Sequence, residues 1–173
     1  MNFTLGNYLP KVSEHSEQSA FFDWLSTKQR DYPEINPLWF SVPNGAHLAG
    51  DKNQRGRAMN ILKAEGFTPG VADTLFLSGR GGYLGLALEF KTQDKKNTKD
   101  GGLSDSQREF LRAAKMEGLQ AAVAYGADEA VQIAQGYLSQ EKTQGMIYRA
   151  LKCAERGDLD GCKNILQDVV RAW

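Results

Sequence analysis

Residues 69–91 read PGVADTLFLSGRGGYLGLALEFK, and the fold turns on how this stretch is parsed. Pro69-Gly70 marks a turn. Residues 73–77 (DTLFL) read as a strand, Gly81-Gly82 as a hairpin turn, and 83–91 (YLGLALEFK) as the partner strand. The second strand is apolar almost throughout, the pattern of a strand covered on both faces at the centre of a sheet. Side chains alternate along a strand, so Glu89 and Lys91 emerge on one face while Phe90 points the other way, into the core. The hairpin sets Asp73, at the start of the first strand, beside Glu89, near the end of the second. Two carboxylates and an ammonium then meet at one end of an otherwise apolar sheet. Charges so close to a core are expensive to desolvate unless they are paired or bind a metal.

Working outward, residues 13–29 (SEHSEQSAFFDWLSTKQ) predict an amphipathic helix. Ser13 is its N-cap, Glu14 and Glu17 fall in the first turn, and Ala20, Phe21, Trp24 and Leu25 form its apolar stripe. DYPEINP (31–37) reads as a connector, LWFSV (38–42) as a strand, and QRGRAMNILKAE (54–65) as a helix closed by Gly66. Beyond Lys91, residues 92–104 are polar, charged and glycine-containing, which suits a mobile loop. Ser104 and Gln107 form a capping box for a helix over 105–118. LQAAVAYG (119–126) reads as a strand and 127–140 as a helix; the tail, 141–173, is one helix or two broken near residues 157–160. The order α-β-α-β-β-α-β-α plus a helical tail predicts an α/β fold, with a mixed sheet layered by helices. Residues 1–139 make the domain and 140–173 the tail.

The chain has 173 residues, enough for one well-buried core. Its 21 basic and 21 acidic residues cancel, so any nucleic-acid signal must lie in local clusters rather than in net charge. No apolar run approaches the roughly 20 residues of a membrane-spanning helix. The first residues lack the basic-then-apolar pattern of an export signal, and the expected location is the cytoplasm (the host's, if the chain is phage-encoded). Two cysteines, Cys153 and Cys162, and two histidines, His15 and His47, are too few and too scattered for a typical zinc site.

Two carboxylates and a backbone carbonyl make the hard-oxygen site that Mg²⁺ prefers. A neighbouring lysine can orient or help deprotonate an attacking water and offset charge on a phosphate. Glu-x-Lys alone more often means an edge-strand ion pair. Here Pro69-Gly70 precedes Asp73, a basic loop follows Lys91, and a capped helix begins where it can return a polar residue to the site.

In order, SEHSEQSAFFDWL, VPNGAH, LKAEGFTPGVADTLFL, GLALEFK, LSDSQREFL and GLQAAVAYG, spread over residues 13–138, resemble the PD-(D/E)xK nuclease superfamily. The likeness is greater to its virus-type replication-repair nuclease (VRR-NUC) family. The resemblance implies a restriction-endonuclease-like core with a central mixed sheet flanked by helices. It makes Asp73 and Glu89 the metal-binding acids, the carbonyl of Phe90 a third ligand, Lys91 the motif lysine and Gln107 the glutamine that shapes the site. It also calls for a glutamate on the first helix. Glu14 and Glu17 compete for that role; Glu14 is favoured because Gln18 then falls where the family often has Glu or Gln. Gln107 is also the capping-box residue, and the two jobs conflict. Thr74 departs from the family, which usually has an apolar residue there.

The resemblance further implies a Mg²⁺- or Mn²⁺-dependent DNA endonuclease of phage or mobile-element type. Its substrate would be branched or structured DNA, as for a Holliday-junction resolvase in replication or repair. Phosphate contacts are expected from Lys52, Arg55 and Arg57, and from Lys95, Lys96 and Lys99 beside the metal site, with Asn44 in a turn lining the cleft. The tail is expected to pack on the core or to form a homodimer interface. The rival reading is a nuclease fold without catalysis that only binds DNA. A nucleotide hydrolase is disfavoured, since no P-loop is present.

Overall fold

The computed structural model describes residues 12–43 and 51–171. Its centre is a four-stranded sheet of β1 (Trp39–Ser41), β2 (Thr74–Phe76), β3 (Gly85–Lys91) and β4 (Leu119–Tyr125), in the spatial order β1-β2-β3-β4. β2 runs antiparallel to both β1 and β3, and β4 lies parallel to β3. A parallel pair needs a long crossover, which helix α4 (Asp105–Met116) supplies. Every residue of β3 is buried, as its apolar run predicts.

Alternation along β3 divides the interior in two. Leu86, Leu88 and Phe90 pack with Phe21 and Leu25 of α1 (Glu14–Ser26) and with Ala130, Ala134 and Tyr137 of α5 (Ala127–Leu138). Ala87 faces the other way, into a smaller cluster with Ala72, Ala121, and Leu111 and Ala114 of α4. Glu89 and Lys91 follow Ala87 onto the α4 side.

Thr74 sits at an otherwise apolar position and is wholly buried; its hydroxyl accepts a long hydrogen bond from Trp39 Nε1 at 3.4 Å. Ser13 caps α1, with a capping box completed by Ser16. Ala20 faces solvent instead of joining the apolar stripe.

Other expectations need correction. Residues 31–38 include a short helical turn, α2 (Ile35–Leu38), which shortens the strand expected over 38–42. Helix α3 (Lys52–Ala64) begins before Gln54, because Asp51 caps it and Gln54 is the reciprocal capping-box residue. The β2–β3 connection is not a two-residue turn and spans residues 77–84. Gly81 and Gly82 do adopt positive φ there (59° and 95°), but the chain is drawn outward to meet the tail. Gly81 N donates to Glu141 O (2.8 Å), Thr143 N to Gly79 O (2.9 Å), and Thr143 Oγ1 to Tyr83 O (2.7 Å).

The tail forms two helices, α6 (Thr143–Glu155) and α7 (Leu159–Arg171), broken at Gly157, where φ is +74°. They pack chiefly on each other and bury Met146, Ala150 and Val169. Ile147, Tyr148, Leu151, Leu159, Leu166 and Val170 stay exposed. Cys153 and Cys162 are free and half-buried. Among the described residues no helix is long and apolar enough to cross a membrane.

Candidate active site

Pairing of Thr74 with Leu88 sets Asp73 level with Glu89 across the β2–β3 ladder. Asp73 Oδ2 accepts a hydrogen bond from the Phe90 amide at 2.8 Å, which fixes the carboxylate against the end of β3. The Phe90 ring is anchored on the opposite face, fully buried, with its centroid 5.4 Å from that of Phe21. The peptide around Phe90 is thereby anchored on both faces, with its carbonyl on the Lys91 ammonium.

Glu89 is fully buried. Its Oε1 accepts from Lys91 Nζ at 2.7 Å and from Gln107 Nε2, while Oε2 is buried with no hydrogen-bond partner. Burial, reinforced by the negative charge of Asp73, pushes the carboxyl up to about 7 despite the opposing pull of Lys91. Lys91 is also buried, and donates to the Phe90 carbonyl at 2.9 Å. Burial alone would lower its pKa. The hydrogen bond to Glu89 and the charges of Glu89, Glu14 and Asp73 outweigh that and raise it, so Lys91 is an ammonium throughout the neutral range.

Gln107 reaches the site because the Pro69-Gly70 turn lies hard against the first turn of α4. Gly70 has φ +89°, and a Cβ there would fall 2.5 Å from the Ser106 carbonyl carbon. The conflict expected between Gln107's two roles does not arise. Its Oε1 accepts from the Ser104 amide at 2.9 Å while its Nε2 donates to Glu89. A primary amide has an acceptor at one end and donors at the other, so one side chain can close the capping box and hold the carboxylate.

The two first-helix acids go to different places. Glu14 lies with Oε1 3.4 Å from Lys91 Nζ and is half-exposed. Glu17 Oε2 instead accepts from the Ala127 amide at 2.6 Å, capping the start of α5 and tying α1 to it. The sequence offered a cue for this second role in Gly126, whose φ of +94° starts α5 without a side-chain cap of its own.

Asp73, Glu89, the Phe90 carbonyl, Lys91, Gln107 and Glu14 therefore converge. No group of three or more His, Cys, Asp or Glu side chains forms a metal cage among the described residues. An ion here would rest on two carboxylates, a carbonyl and water, a donor set that suits Mg²⁺ or Mn²⁺. The partnerless buried oxygen of Glu89 fits such an ion, because a buried acceptor left unsatisfied is otherwise costly.

The expected phosphate-binding residues divide. Lys52, Arg55 and Arg57 lie exposed on α3, none of whose residues is buried. Lys99 is exposed. Lys95 pairs with Asp94 at 3.2 Å; Lys96 pairs with Glu129 at 2.9 Å and stands over the Tyr125 ring. Asn44 and His47 lie outside the described residues. The segment after Lys91, expected to be a loop, is tied to β4 and holds one helical turn, a 3-10 helix (Gln93–Lys95). Gln93 Nε2 donates to the Tyr125 carbonyl, and the Tyr125 hydroxyl donates to Gly101 O at 3.2 Å.

No protein-family model matches this chain, and no curated protein matches it. A solved structure described as a "VRR_NUC domain protein" superposes with a TM-score of 0.59, covering 78% of this chain and 94% of that one at 22% sequence identity. This protein, a mixed four-stranded sheet flanked by helices, therefore shares the fold of that VRR_NUC domain protein.

Proposed function

We propose that this protein is a Mg²⁺- or Mn²⁺-dependent deoxyribonuclease, an endonuclease acting on branched or otherwise structured DNA. The observation that carries the reading is the buried, partnerless Oε2 of Glu89 beside Asp73 at the end of the sheet. A divalent ion, when bound, supplies the Lewis acidity that makes a water nucleophilic at neutral pH and offsets charge on the scissile phosphate.

The chain's own groups do the positioning. Asp73 is fixed by the Phe90 amide and Glu89 by Gln107, so both carboxylates are oriented before any substrate arrives. Lys91 keeps its proton and acts as a permanent positive charge toward the phosphate or a donor to water, not as a general base. The exposed cations of α3 offer sequence-independent phosphate contacts. A fold that only binds DNA has no need of an ion-pair cluster buried at this depth, which favours catalysis over binding alone.

The test is cleavage of single-stranded, duplex, flap and four-way-junction DNA with and without Mg²⁺ or Mn²⁺. Cutting should require the ion and favour the structured substrates. Asp73→Ala should lower the rate by about 10²–10³-fold or more, with little change in thermal unfolding. Full activity of Asp73→Ala in Mg²⁺, or no cutting of any substrate, overturns the reading.

A further inference from the structure

Lys91 Nζ rests on one of the oxygens assigned above to a divalent ion, the Phe90 carbonyl, and on the Glu89 oxygen next to the partnerless one. It lies 2.7 Å from Glu89 Oε1 and 2.9 Å from the Phe90 carbonyl. A compact ammonium with three N–H donors satisfies these acceptors well, but a small divalent ion held by the Phe90 carbonyl and the other Glu89 oxygen would share one acceptor with it and set two positive charges side by side. The third neighbour of the ammonium is Glu14 Oε1, farther off at 3.4 Å and on a half-exposed side chain. Charge makes the same point. Asp73, Glu89 and Glu14 sum to three negative charges, which balance one ammonium and one divalent ion together; Asp73 and Glu89 alone balance only the ion.

We infer that Lys91 is the resident cation of the ion-free site and that Glu14 is the seat to which its ammonium withdraws when an ion binds. The ammonium gives up its hydrogen bonds to Glu89 and the Phe90 carbonyl and strengthens its contact with Glu14. Glu14 is then a positioning residue that acts through Lys91 and not a ligand. This rests on the metal-dependent reading of the site.

The two roles separate in a double-mutant cycle on ion affinity, read by calorimetric titration of Mn²⁺ without DNA. Glu14→Gln should weaken binding about tenfold when Lys91 is present, and about twofold or less in a Lys91→Met background. A direct pull of Glu14 on the ion would give equal losses in both backgrounds and overturn the inference alone. Absence of any Mn²⁺ binding that Asp73→Ala erases would instead remove the metal reading itself. Should Lys91→Met not fold, ¹³C-labelled lysine decides in the otherwise unaltered protein. The Lys91 Cε resonance should move on saturation with Mg²⁺ and move differently in Glu14→Gln; a Lys91 signal unmoved by saturating Mg²⁺ also overturns the inference.

Discussion

Glu89 carries a conflict that the rest of the site resolves. It is a carboxylate with no exposure, stabilised on one oxygen by Lys91 and Gln107 and left bare on the other. With its pKa raised from 4.5 to about 7, the folded protein favours the protonated form more than the unfolded chain does. The stabilising contribution is thus complete below about pH 4.5 and disappears as pH rises through 7, a span worth roughly 3 kcal/mol. Glu34, whose pKa is lowered, works in the opposite sense but only below about pH 4.5, outside this window. In ion-free buffer, Glu89→Gln should match the unaltered protein at pH 5 and be more stable at pH 8. Mg²⁺ should raise the melting temperature of the unaltered protein more at pH 8 than at pH 5.5, and leave Glu89→Gln unmoved. A stability difference independent of pH would contradict the burial argument.

At the scale of elements, each piece of the site is delivered by a different kind of restraint. β3 supplies Glu89 and Lys91 by alternation, α4 supplies Gln107 through its capping box, and α1 supplies Glu14 because Glu17 pins that helix to the start of α5. Helix α3 differs from all of these. It has capping-box closure at Asp51 and Gln54 but buries nothing, so its cations are committed to solvent or to a ligand. If Lys52, Arg55 and Arg57 each meet a phosphate, changing all three to Ala should flatten the log–log dependence of DNA affinity on salt by about 3, at roughly 0.9 per contact. Affinity measured by fluorescence anisotropy between low and moderate salt checks this; an unchanged slope would take α3 out of the interface.

Across the whole molecule, the end of the sheet opposite the site is held by a second buried ion pair. Arg80, in the β2–β3 connection, bonds Glu34 and donates to the carbonyls of Leu138 and Gln140 at 3.0 Å each, while Lys142 lies 3.1 Å from Glu34. One side chain thus ties the sheet, the end of α5 and the start of the tail. Removing Arg80 leaves Glu34 to Lys142 alone and the Leu138 and Gln140 carbonyls without their donor, so Arg80→Ala should lower stability by about 3 kcal/mol in chemical denaturation. β3 separates the two ends by about 20 Å at roughly 3.3 Å per residue, so cleavage by the folded variant should be unchanged. A loss of less than about 0.5 kcal/mol would mean that the pair contributes no more than an exposed one.

Much of this architecture is written in local patterns. The apolar run before Glu89 determines a central strand, alternation determines that Glu89 and Lys91 share a face, and Ser104 with Gln107 determines where α4 begins. These depend on neighbours within a few residues, where backbone geometry is periodic and the sequence is sufficient. Other features depend on residues far apart in the chain. Glu14 and Glu17 both suit the first turn of a helix, and only the packing of α1 on α5 sends one to Lys91 and the other to the Ala127 amide. Lys96 looks like a free cation until β4 and α5 bring Tyr125 and Glu129 to it. The long β2–β3 connection looks like a tight turn until Thr143 arrives from the tail to bond it. Local composition determined which groups could carry charge near the sheet. Which of them are buried, paired or left without a partner was decided by tertiary packing, because desolvation and hydrogen bonding depend on everything that surrounds an atom and not on its neighbours in sequence.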